Sequence, residues 1–254
     1  MENQVKVEVC CDTLQSALNA QQAGAHRVEL CSAYNLGGIT PSYGLIEQAR
    51  RRLKIDINVL LRPREGDFLY EPEEVAVMIS DIQACARMGV NGVVIGALDP
   101  FGNIDMDSSR AMVAVAKHLG LSVTFHRAID RSNDIMNALE NIISLGADRV
   151  LTSGGYSSAL EGVDVIAQMN RLASGRIIVM PGSKVNFENV KELVDRTGVH
   201  EVHLSAREEI LSSMIYKAEA FSSISHYTID PYMRGESSVN KIKSTVEALN
   251  VTKI

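Results

Sequence analysis

Four stretches of the chain share one pattern: Gly24-Ala-His-Arg-Val-Glu-Leu-Cys31, Gly89-Val-Asn-Gly-Val-Val-Ile-Gly96, Gly146-Ala-Asp-Arg-Val-Leu-Thr-Ser153 and Gly198-Val-His-Glu-Val-His-Leu-Ser205. Each follows a segment of helical hydrophobic period. In each, a glycine stands where the helix should end, since it reaches the left-handed cap conformation cheaply. Two or three connecting residues then lead into an apolar, β-branched run that reads as a buried strand. His118-Leu-Gly120 followed by LSVTFH repeats the theme more loosely. Gly120 and Gly146 are 26 residues apart, and Gly146 to Gly198 is twice that. One βα unit takes roughly 30 residues.

Working outward, the strands fall at 5–10, 27–31, 57–62, 92–97, 121–126, 149–153, 176–181 and 200–205. Helices fit between them at 13–23, 42–53, 72–88, 107–118, 132–145, 158–172 and 186–196, with a last amphipathic helix at 237–249. Strands alternating with helices imply a parallel sheet. Eight of them point to a closed (β/α)8 barrel, a fold of about 250 residues; the chain has 254. The alternative is an open doubly wound sheet. No linker is evident, so 1–254 reads as one domain. Two long loops stand out, Arg62–Pro72 and 206–236. Loops of that length in a compact domain usually serve a function.

Composition narrows the functional classes. Apolar residues make up 46% and charged residues 22%, ordinary for a folded protein. The net charge is −6, aromatics are 5% and tryptophan is absent. Nucleic-acid binding rests on Lys/Arg contacts to phosphate and on aromatic stacking, so it is disfavoured. No run of 18 apolar residues exists, so no membrane span is expected. The N-terminal MENQVKVEVCC lacks the layout of a signal peptide, and a cytoplasmic location follows. Neither G-x-G-x-x-G nor a Walker loop is present, so no nucleotide cofactor is indicated. No C-x-x-C pair suggests a structural zinc site.

Strand alternation assigns faces. Val7 and Val9 out put Glu8 and Cys10 inside the barrel. Val28 and Leu30 out put Glu29 and Cys31 inside. Val123 and Phe125 out turn Thr124 and His126 inward, and Val202 and Leu204 out turn Glu201, His203 and Ser205 inward. In strand three, Asn58, Leu60 and Arg62 face in. A barrel core is normally Val, Ile and Leu. Glu8, Glu29, Arg62, His126 and His203 therefore make sense only as a paired network, because a lone buried carboxylate is costly. Thr152 is a further lining residue.

Cys10 and Cys31 end adjacent strands in matching contexts, Val-Glu-Val-Cys and Val-Glu-Leu-Cys. Strands lie roughly 4.8 Å apart, which brings the sulfurs within reach of each other. Paired thiolates suit a soft ion, Cu(I) above all; the other reading is that both are small buried apolar residues. Cys85 reads as helix core. His126 and Glu29 are candidate acid–base groups. Arg62 and Arg64 bracket a proline and are candidates to clamp a carboxylate or phosphate, or to pair with Glu8, Glu29 or Asp67. Ser183 and Ser205 stand where strands seven and eight end, beside the loops in which barrels often bind phosphate.

The stretches VEVCCDTLQSALNAQQAGAHRVELC, GGITPSYGLI, LLRPREGDFLY, VTFHRAID, RVLTSGG and VHLSA, spread over residues 5–206, together resemble the CutC family, named for copper homeostasis. The resemblance implies a (β/α)8 barrel, a cytoplasmic location, a homo-oligomer (dimer or tetramer) and an association with copper. It places the ligands at Cys10, Cys31 and, by position, Cys11. Two functions are thus expected: Cu(I) binding by Cys10 and Cys31, with His126 or His203 as an extra ligand, or an enzyme acting on a small anionic metabolite held by Arg62 and Arg64.

Overall fold

Capping chemistry sets the element boundaries in the computed structural model, which describes residues 5–217 and 230–250. Helix α5 (Ile135–Leu145) shows how. Asp134 accepts from the N–H groups of Met136 and Asn137 at its start, and Gly146 ends it at φ +81°. The other barrel helices are α1 (Leu14–Gln22), α2 (Tyr43–Arg52), α3 (Pro72–Met88), α4 (Met106–His118), α6 (Val163–Ala173) and α7 (Val190–Thr197).

Between them run eight parallel strands: β1 (Lys6–Cys11), β2 (Arg27–Leu30), β3 (Asp56–Leu60), β4 (Gly92–Ile95), β5 (Ser122–Phe125), β6 (Arg149–Thr152), β7 (Ile178–Pro181) and β8 (Glu201–Leu204). Their order is 7-6-5-4-3-2-1-8, and β7 packs beside β8 to bring the ends together. No switch point reverses the order, as an open doubly wound sheet would require. The chain folds as a (β/α)8 barrel.

Outward residues such as Val7, Val9, Val28, Leu30, Val123 and Phe125 are buried against the helices in one large core. The inside is different. In such barrels alternate strands supply successive layers of side chains. Here the even strands provide a floor of Arg27, Arg149 and Glu201. Gly92 has no side chain to add; a Cβ there would meet Asn58 Oδ1 at 2.5 Å. Arg27 Nη2 donates to Glu201 Oε2 at 2.5 Å, and Arg149 Nε donates to the same oxygen at 2.6 Å. Arg27 Nε donates to Glu8, which Asn58 also reaches at 3.3 Å. Arg149 further donates to Thr124 at 3.2 Å.

Two arginines thus meet two glutamates. Burial alone would raise the Glu8 carboxyl, but Arg27 and His203 hold it well below the carboxylate range. Burial likewise works against Glu201, yet Arg149 and Arg27 keep it low. The expected network of Glu8, Glu29, Arg62, His126 and His203 is corrected accordingly. Arg27 and Arg149 carry the positive charge of the floor. The Arg62 guanidinium donates instead to the carbonyls of Leu36, Gly38 and Gly66 at 3.0, 2.8 and 2.7 Å.

The expected loop 206–236 also holds structure. It opens with β9 (Arg207–Leu211) and closes with β10 (Met233–Ser237), paired antiparallel. Asp12 accepts from Arg207 at 2.6 Å, and Asn19 on α1 donates to Glu236 at 3.1 Å, tying this ribbon to the barrel. Part of that loop, 218–229, lies outside the described residues. Helix α8 (Val239–Leu249) follows.

Two outcomes test the ionic floor. Glu201→Gln leaves Arg27 and Arg149 without their shared carboxylate. Urea unfolding near neutral pH should show a loss of about 3–5 kcal/mol, the usual cost of breaking a buried pair. The depressed Glu8 and Glu201 carboxyls contribute stability that is full above their ordinary value of 4.5 and is lost as pH falls below it. The acid limb of the stability profile should therefore flatten in the same variant.

Candidate functional site at the barrel mouth

A cavity of about 500 Å³ opens at the C-terminal ends of the strands. Strands β8, β1 and β2 form one side. There Cys10 and Cys31 bring their Sγ atoms to 3.6 Å. Both are buried, in a small apolar cluster with Leu60 and Val94. Cys11, one residue on, points the other way into the core between strands and helices, as alternation requires. The contact with Cys31, reinforced by burial, raises the Cys10 thiol well above its ordinary range.

Beside the thiols stand Glu29 and His203. One ligand atom from each of Cys10, Glu29 and His203 lies within 4.8 Å of the others. His203 Nδ1 faces Glu8 Oε1 at 2.8 Å. An ionised carboxylate can only accept, so the proton sits on Nδ1 and Nε2 remains for another partner. Burial pulls this imidazole down, but Glu29 and Glu8 more than offset that and raise it above the ordinary histidine value. Glu29 is buried, and its Oε2 has no partner. Burial pushes its carboxyl up to about 7. Such a carboxyl can exchange a proton near neutral pH.

His126 presents a different face. It follows β5, and Gly96 makes room for it; a Cβ there would meet the ring at 2.5 Å. Its Nδ1 accepts from the N–H of Ala128 at 3.1 Å. The proton must then lie on Nε2, and this N–H has no partner. Burial and the Arg62 charge push the imidazole down to about 3. His126 is thus a neutral hydrogen-bond donor. The base and metal-ligand roles expected of it do not suit this geometry, because both need a free lone pair, and the low proton affinity of the ring keeps it from cycling as an acid near neutral pH.

Arg62 lines the same cavity, and its Nε is a second donor without a partner. A buried polar group left so costs about 1–3 kcal/mol. Phe68 packs against both residues, 4.9 Å from the His126 ring and 5.2 Å from the Arg62 guanidinium. Arg64 turns away. It is held by Glu74 at 2.6 Å and Asp67 at 3.2 Å and does not line the cavity. Ser183 and Ser205 do line it; Ser183 donates to the Ser157 carbonyl and Ser205 accepts from Tyr34. Thr124 lies deeper, on Arg149, and Thr152 donates to Asp130 at 2.5 Å.

Several lining residues escaped sequence reasoning: Tyr34, Phe68, Arg127 and Lys184. They sit on loops, where no periodicity operates. The floor was more legible. Arg27, Arg149 and Glu201 all occupy the fourth position of the Gly-x-x-x-Val repeat, so the repeat itself carried the signal. Backbone strain also collects at the mouth. Ala33, Ser183, Lys184 and Ala206 hold positive φ in the loops after β2, β7 and β8.

Fold and site together define a class: a (β/α)8 barrel whose mouth joins two thiols, a carboxylate and an imidazole beside an arginine. The chain belongs to the CutC family, whose model matches residues 5–208. A CutC family protein of Xylella fastidiosa strain 9a5c is 54% identical over 201 residues, covering 79% of this chain and 74% of its own. One from Vibrio campbellii is 44% identical over 245 residues, 96% of this chain and 99% of its own. Among solved structures, a Streptococcus agalactiae protein described as a copper homeostasis protein CutC superposes with TM-score 0.75 at 30% identity, over 79% of this chain and 98% of that one. A thiamine phosphate pyrophosphorylase from Pyrococcus furiosus, at TM-score 0.58 and 13% identity over 97% of this chain and 96% of that one, shares the fold.

The Glu29 and His203 environments predict a pH response of the metal-free protein. A carboxyl raised from 4.5 to about 7 makes folding lose stability as pH climbs between those values. A raised histidine acts in the same direction, its contribution fading as pH passes its folded value. Glu29→Gln should flatten this neutral-range decline in denaturation measured across a pH series. An unchanged slope would place the titration elsewhere.

Proposed function

We propose that the protein binds Cu(I) at the barrel mouth, with the Cys10 and Cys31 thiolates as principal ligands. The observation that carries this reading is the 3.6 Å approach of two buried sulfurs from adjacent strands. Opposite ligands of one ion would stand about 4.6 Å apart, twice a metal–sulfur bond of about 2.3 Å. The shorter spacing suits two corners of a three- or four-coordinate site. His203 is the best third ligand, because its Nδ1 rests on Glu8 and frees Nε2, the carboxylate–histidine arrangement that orients metal-binding imidazoles. Glu29 completes the set.

Thiolates with an imidazole would also accept Zn(II). The description of the Streptococcus agalactiae relative favours copper. The four cysteines are free and buried, which fits a reducing compartment such as the cytoplasm. The binding step follows from the protonation states. Both thiols must lose protons when the ion enters, and because His203 and Glu29 would themselves be ligands those protons leave to solvent. Copper is the cargo here, and no redox change is required of it.

Anaerobic titration of the reduced protein with Cu(I) against a chromogenic chelator tests this, with Zn(II) run alongside. One-to-one binding that tightens as pH rises and is lost in the Cys10→Ser/Cys31→Ser variant is expected. His203→Ala should weaken binding by about 10–100-fold if the imidazole is a ligand, as for other supporting groups of metal sites. Binding indifferent to both cysteines would remove the proposal.

A further inference from the structure

We infer that the same cavity contains a second subsite, separate from the thiols, that binds a small organic oxyanion, a carboxylate or a phosphate monoester, through Arg62 Nε–H and His126 Nε2–H. The subsite lies on the β3–β5 side, whereas the thiol cluster belongs to β8, β1 and β2. In an eight-stranded ring β5 stands across from β1.

Three observations carry the inference. The first is the pair of unsatisfied donors. Arg62 is 5% exposed and His126 6%, both line the cavity, and both touch Phe68. Three carbonyls hold the Arg62 terminal nitrogens, and the Ala128 N–H holds His126 Nδ1. His126 is therefore fixed with one N–H to offer, and Arg62 with its Nε–H and a second N–H on Nη2, next to the Tyr70 hydroxyl; neither has a lone pair. Their common partner must be an acceptor, and beside a guanidinium it is best negatively charged.

The second observation is the local charge. The chain carries −6 overall. Yet the ionisable side chains around this cavity include Arg62, Arg127 and Lys184, against the single carboxylate Glu29. Arg127 is neutralised by Asp130 at 2.8 Å. Arg62 and the exposed Lys184 are left to attract an anion, and a concave wall focuses their field. Lys184 is held at the rim by two successive left-handed residues, Ser183 at φ +85° and Lys184 at +56°. Such conformations are costly and gather at binding sites.

The third is size. About 500 Å³ is far more than one ion with protein ligands fills, and it falls within the range of small-molecule pockets. A ligand of a few carbons can seat its oxyanion on Arg62 and His126 with the rest of the molecule directed toward Glu29 and the thiols.

The test uses the full chain, metal-free, with glycerol 3-phosphate, glycerate and neutral glycerol as probes. Saturable binding is read by melting temperature and by the ¹⁵N shift of the His126 Nε2–H. We expect one or both anions to bind, glycerol not to bind, and the tighter anion to name the ligand class. His126→Phe keeps a ring against Phe68 and should weaken binding about tenfold or more, the worth of a charge-assisted hydrogen bond. Lys184→Ala, at an exposed position, checks the charge without threatening the fold and should weaken it several-fold. The Cys10→Ser/Cys31→Ser variant should bind the anion as the parent does, and His126→Phe should keep its Cu(I) affinity, so the two sites succeed or fail independently. The inference falls if neither anion binds by about 10 mM, beyond the usual range for metabolites. It falls equally if His126→Phe and Lys184→Ala bind like the parent, or if loss of the thiols abolishes binding.

Discussion

Charge neutrality inside the barrel is the constraint on which the rest depends. Arg27, Arg149, Glu8 and Glu201 are all nearly inaccessible to water. Any one of them alone would be intolerable there. Together they interlock, with Arg27 bridging both glutamates and Glu201 bridging both arginines. An apolar floor would supply stability at less risk. What the ionic floor adds is a fixed set of anchors. Glu8 spends one oxygen on Arg27 and the other on His203, so the lower network reaches up and sets the imidazole at the mouth.

That link explains how one cavity holds two histidines of opposite character. What each Nδ1 faces decides the matter. His203 Nδ1 faces a carboxylate, which keeps it protonated and lifts its affinity for protons. His126 Nδ1 faces a backbone N–H, which forces the proton to Nε2, and burial beside Arg62 holds the ring neutral. One ring offers a lone pair and the other a donor. The proposed Cu(I) and oxyanion sites rest on that difference.

The sequence revealed the frame more readily than the site, for physical reasons. Alternation operates wherever an outer face must be apolar, so the sequence alone places Glu8, Cys10, Glu29, Cys31 and His203 inside. The same rule places Arg27 there, two residues before Glu29, and the repeat places Arg149 and Glu201 beside it. The partners of Arg62 were not legible, because they are backbone carbonyls in two loops. Nor was the tautomer of His126, which depends on the turn formed by Arg127–Arg131 just after it. Arg62-Pro-Arg64 looked symmetrical in sequence. The proline instead separates a buried guanidinium from one that binds its own loop and α3.

Stability and strain are divided along the barrel axis. At the floor, ion pairs are short and every charge is matched. At the mouth, Glu29 Oε2, Arg62 Nε and His126 Nε2 lack partners, and four non-glycine residues of its loops hold left-handed conformations. Marginal stability sets a limit on how many such defects a domain can carry. Three of the five buried, unpartnered side-chain atoms among the described residues belong to this cavity, above a floor that satisfies its own charges. The unpaired atoms around that cavity differ in chemistry: Glu29 Oε2 can take a donor, whereas Arg62 Nε and His126 Nε2 require an acceptor.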